Sequence, residues 1–107
     1  MITPQIPESF EAGGRIWDVE IVPVGTLQDY DGNPAYGITD FESATIRLEA
    51  VDSPRLFYQT WFHELGHALY YSIGIFDQEA DEIHRAIDAL GSSLLSMHMS
   101  AKGRHRP

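Results

Sequence analysis

The chain has 107 residues, 43% of them hydrophobic, no cysteine, and 16 acids against 7 Lys and Arg, for a formal charge of −9. This size and composition fit one small globular domain, residues 1–101. The missing thiols exclude a disulfide framework, a cysteine zinc ribbon, a thiolate nucleophile and an iron–sulfur cluster, so any metal must be held by His and carboxylate. The negative charge opposes a phosphate backbone, and nucleic acid is not an expected partner.

The charge is unevenly spread. Lys102, Arg104 and Arg106 crowd the last six positions, so residues 1–101 carry four cations against all sixteen acids, a net of −12. Residues 102–107 read as a basic, solvated tail. The start, Met1-Ile2-Thr3-Pro4-Gln5-Ile6-Pro7-Glu8, has neither the basic region nor the apolar run of a signal peptide, and no stretch reaches membrane-spanning length. No membrane association and a cytoplasmic location are the expectations.

In chain order, two prolines and Gly13-Gly14 bracket an opening segment expected to hold at most a turn of helix. Ile16 to Val24 places Trp17, Val19 and Ile21 opposite Asp18 and Glu20, the period-2 pattern of a half-buried strand that Pro23 ends. Gln28 to Pro34 is dense in turn formers and reads as a surface loop. Tyr36–Asp40 and Ala44–Glu49 are β-like, and the interval Phe41-Glu42-Ser43 suits a hairpin. The expectation is a small antiparallel sheet of about three strands, with Ile46 and Leu48 on its apolar face and Thr45, Arg47 and Glu49 on a wet one.

Ser53-Pro54 signals a helix start, and Gly74 a stop, so a helix is expected from Pro54 to about Ile73. Asp77 suits the cap of a second helix from about Gln78 to Met99, with Ile83, Ala86, Ile87, Leu90 and Leu94 as its apolar stripe. The fold class is therefore α+β: a small sheet packed on a helical hairpin.

The first helix contains His63-Glu64-Leu65-Gly66-His67. Residues four apart on a helix share a face, so both imidazoles can address one ion, while Glu64, about 100° round, reaches a water on that ion. Two nitrogen ligands, an open position and a base are what a zinc peptidase needs. An H-E-x-x-H also arises by chance, but Trp61, Phe62, Leu65, Leu69 and Tyr70 would bury this helix, where unpartnered polar groups are costly. Gly66, unfavourable in a helix interior, suggests close approach of a neighbouring chain segment.

A third ligand must come from elsewhere. In a helix starting at Gln78, Glu79 points more nearly toward the first helix, whereas Glu82 is nearer in level to His67; this reading leaves both open. His84, about 140° from Glu79 on such a helix, reads as exposed. His98 and His105 read as surface residues near the end, and Tyr36, Tyr70 and Tyr71 as aromatic packing, with any of the three a possible oxyanion donor.

The run His63-Glu64-Leu65-Gly66-His67-Ala68-Leu69, followed by Gln78-Glu79-Ala80-Asp81, resembles the small zincin-type metallopeptidases of the ImmA/IrrE class and their short phage-encoded relatives. The likeness extends upstream through Gly37 to Leu48, covering roughly residues 15–95. It implies zinc as cofactor, His63, His67 and Glu79 as ligands, Glu64 as general base, a peptide or protein substrate, and a setting such as a phage-infected bacterial host. The interval from His67 to Glu79 is shorter than in larger members, and the expectation is a minimal catalytic core without a sensor or DNA-binding domain. The alternative is a zinc-stabilised protein-interaction module with little or no hydrolytic activity. A metal-free acidic globule imitating DNA is a third reading.

Overall fold

In a computed structural model, residues 5–104 are described, with side chains through Ala101. The basic tail's side chains and His105 lie outside the described residues. The elements are β1 (Ser9–Ala12), β2 (Arg15–Val22), β3 (Gly37–Asp40), β4 (Thr45–Glu49), α1 (Pro54–Ser72) and α2 (Asp81–Arg104). The class is α+β, but the sheet differs from the expected three antiparallel strands. It has four strands in the order β1-β2-β4-β3, and β2 pairs with β4 in parallel, Val19 opposite Ile46 and Ile21 opposite Leu48.

The added strand is β1, in the segment expected to hold at most a turn of helix. Gly13 and Gly14 both take positive φ, +62° and +77°, as a two-residue turn between right-twisted strands requires, and Ala12 faces Arg15 across it. The second hairpin joins β3 to β4 as its spacing suggests. Asp40 Oδ1 accepts from the backbone N–H of Glu42 and Ser43 at 3.1 and 3.2 Å, and these bonds hold its carboxyl below the usual range. β4 therefore returns between β2 and β3, so it is interior and β3 lies at the sheet edge.

One sheet face and α1 enclose the core, in which Trp17, Ile46 and Leu48 from the strands and Phe57, Trp61 and Ala68 from the helix are buried. Trp17 is edge-on to Phe41 and to Tyr71, and Tyr71 stacks on Phe41 with ring centroids 4.6 Å apart. Tyr71 is thus committed to packing. His98 is half-buried rather than on the surface, its ring 4.4 Å from that of Tyr58, with a buried Nε2 that has no partner among the described residues.

The face of β4 expected to be wet is covered at its end. Glu49 is only 4% exposed, and its Oε2 accepts from the Leu27 N–H at 2.9 Å. That donor first, then the N–H groups of Gly25 and Thr26, hold the Glu49 carboxyl below its ordinary value of 4.5. A depressed carboxyl stabilises the fold above the unfolded-state value, and this contribution is lost as pH falls through the lower folded-state value. Glu49→Gln is expected to cost about 2 kcal/mol near neutrality, the worth of hydrogen bonds to a charged acceptor. Urea unfolding at pH 7 and pH 3 should show the wild type losing more stability on acidification than the variant.

Ser53 Oγ accepts from the Leu56 N–H at 3.2 Å with Pro54 opening α1, and Gly74, at φ +97°, follows its end. α2 begins at Asp81, later than Gln78, because Gln78 is drawn inward: its amide donates to the carbonyls of His67 and Ile75, both at 3.0 Å. Asp77 does accept from a backbone N–H, that of Glu79 at 3.2 Å, but within the connection rather than at a helix start. α2 runs back past α1, with Ile87 against Gly66 and Gly91 against His63, so the close approach suggested by Gly66 is made by Ile87. Among the described residues no helix is long and apolar enough to cross a membrane.

Candidate metal centre

α1 carries both imidazoles. The Nε2 atoms of His63 and His67 face each other at 3.2 Å. Their other ring nitrogens are engaged by acceptors: His67 Nδ1 lies 2.6 Å from Gln78 Oε1, and His63 Nδ1 lies 3.1 Å from Asp88 Oδ1. Gln78 cannot present its amide nitrogen to the His67 ring, since that nitrogen already donates to the carbonyls of His67 and Ile75. Each Nδ1 must then carry the proton, which leaves each neutral ring a bare lone pair on Nε2. Two lone pairs face across 3.2 Å, an arrangement relieved only by a shared proton or a cation.

The two nitrogens have a spacing that zinc ligands take. Nitrogens about 2.0–2.1 Å from one tetrahedral ion lie about 3.3–3.4 Å apart, close to the spacing present. An amide carbonyl and a carboxylate on the outer nitrogens are the groups that orient metal-bound imidazoles and raise their basicity.

Glu64 is buried on the neighbouring face of α1, 9% exposed. Thr39 of β3 donates its hydroxyl to Glu64 Oε1 at 2.7 Å, also approaching the Glu64 carbonyl at 3.1 Å. His63 and Glu64 line an open cleft of about 580 Å³ walled by Tyr36 and Gly37 on one side and by Asp88 and Gly91 of α2 on the other. Of the three tyrosines considered as oxyanion donors, Tyr36 is the one at this cleft.

Gly37 lets β3 approach α1. A Cβ there would stand 2.5 Å from Thr60 Cγ2 and 3.0 Å from Glu64 Cγ. Gly37→Ala is therefore expected to push Glu64 aside and destabilise the fold by about 1–3 kcal/mol, the usual cost of overpacking, read as a lower urea midpoint at unchanged slope.

The structure brings together His63, Glu64 and His67, but not Glu79. That residue precedes α2 and is exposed, and among the described residues no three His, Asp or Glu groups are gathered as an ion would need. Glu82 is likewise exposed. His84 lies beside the pair, its ring centroid 6.2 Å from that of His67 at an interplanar angle of 81°. It is exposed, as its place in the sequence suggests, although α2 starts at Asp81 and does not run through Glu79. Thr39, Gln78 and Asp88 were not found from sequence. Asp88 had a readable signal, since it lies four residues after His84 and flanks the apolar stripe; Thr39 and Gln78 had none. Neither family models, nor curated proteins, nor solved structures give a match to this chain.

Proposed function

We propose that the protein is a zinc-dependent endopeptidase with a minimal zincin-like core, in which two helices packed on a small sheet carry the reacting groups. The supporting observation is the pair of Nε2 lone pairs facing at 3.2 Å with both Nδ1 protons fixed by Gln78 and Asp88. His63 and His67 hold the metal, with Glu79, implied by the zincin resemblance, lying away from them. When bound, zinc supplies a Lewis acid that acidifies water and polarises a carbonyl.

The chain's own residues do the rest. Glu64 takes the proton of the attacking water and later delivers it to the leaving amine. Thr39 anchors Oε1 and, among the described residues, leaves Oε2 for that task. Tyr36, which lines the cleft, would be the donor to a developing oxyanion.

The sheet edge beside the cleft that could receive an extended substrate is β3, since both sides of β4 are already paired. A peptide added along β3 would run beside Gly37 and past His63 and Glu64.

The test is metal analysis of purified protein, followed by digestion of an unfolded protein such as casein with and without chelator. Near-stoichiometric zinc and chelator-sensitive cleavage are expected. Zinc with no cleavage would favour the interaction module, and no zinc would overturn both readings.

A further inference from the structure

We infer that His84 is the third metal ligand, making the site three imidazoles rather than two imidazoles and a carboxylate; this rests on the zinc reading of His63 and His67. The argument begins with the register of the helices. Gly91 lies against the backbone of His63, and Ile87 against Gly66, so α2 passes α1 in close contact along the stretch that carries the motif. On α2, His84 and Asp88 are four residues apart and share a face. Asp88 already reaches His63 Nδ1 at 3.1 Å, which turns that face toward the imidazole pair.

One turn toward the start of α2, the same face presents His84 beside His67. Two i,i+4 pairs, His63 with His67 and His84 with Asp88, therefore adjoin each other, Asp88 at His63 and His84 at His67. Asp88 is occupied as an outer acceptor, which leaves His84, exposed beside His67, as the nitrogen donor of this face.

Distance supports the assignment. The rings of His63 and His67 stand 4.8 Å apart between centroids, and those of His67 and His84 6.2 Å. The three imidazoles are not gathered as an ion would need, so His84, an exposed residue, must turn its side chain to join the pair. Glu82 is two positions earlier, about 200° round the same helix, and Glu79 is outside it. Three neutral ligands would leave the ion its full double charge in a strongly acidic protein, whereas a glutamate ligand would halve it.

The experiment measures zinc affinity by competition with a chromophoric chelator for the wild type, His84→Ala, His84→Glu and Glu79→Gln, with circular dichroism to confirm folding. His84→Ala is expected to weaken zinc binding by at least about 100-fold, beyond the usual loss from an outer partner. His84→Glu, which restores a ligand atom, should recover most of that affinity, and Glu79→Gln should bind as the wild type. Wild-type affinity in His84→Ala would overturn the inference, as would a large loss confined to Glu79→Gln. A wild type that binds no zinc would overturn the underlying reading instead, and that outcome is distinct from the other two.

Discussion

Glu64→Gln is expected to lower peptide cleavage by about 10²–10⁴-fold, the range general acid–base catalysis supplies, while zinc content and folding stay unchanged. The substitution isolates proton transfer because it is nearly isosteric. The amide oxygen of Gln can still accept the Thr39 hydroxyl that now lies 2.7 Å from Glu64 Oε1, so the side chain has reason to stay in place within its buried setting. What the amide cannot do is take a proton from water at neutral pH. The loss should fall on kcat with KM little altered, because the carboxylate acts on the transition state and not on substrate binding. The same variant divides the two readings of the site. A structural zinc is normally closed by four protein ligands and has no use for a base, so in an interaction module Glu64→Gln would leave partner binding intact.

The parts of the structure that depend on neighbours in sequence were legible there. Ser53-Pro54 and Gly74 delimit α1 within about a residue, because caps act through side chains and φ values at the ends themselves. His63, Glu64 and His67 were legible for the same reason, since their juxtaposition is a property of one helix. β1 escaped because four residues, Ser9 to Ala12, are too few to show a period, although Gly13-Gly14 is a hairpin turn in plain sight. The parallel pairing of β2 with β4 has no local signature, being decided by which strand fills the slot beside β2.

The supporting shell of the site is non-local throughout. Thr39 lies 25 residues from Glu64, and Gln78 lies 11 from His67 across a helix end. Gln78 also shows how one buried amide redirects a segment: by satisfying two carbonyls near the end of α1 it keeps residues 78–80 out of α2, so Glu79 lies before that helix and not on it.

Zinc is expected to raise the thermal stability of the wild type and to leave His67→Ala unmoved. An ion that binds only the folded state at a hundred times its Kd stabilises by about 2.7 kcal/mol. For a chain of this size that is a rise in Tm of roughly 10–20 °C. In the unfolded chain His63 and His67 no longer share a helical face, and Gln78 and Asp88 no longer fix their tautomers, so little of the affinity survives unfolding. His67→Ala removes one of the two facing nitrogens and, with it, the closest donor pair. Scanning calorimetry with zinc, with excess chelator and with magnesium would check this. Magnesium should give no shift, since it prefers oxygen ligands and retains its water. Equal Tm values for the wild type with zinc and with chelator would mean that the two lone pairs are relieved by a shared proton, and the metal centre would have to be abandoned.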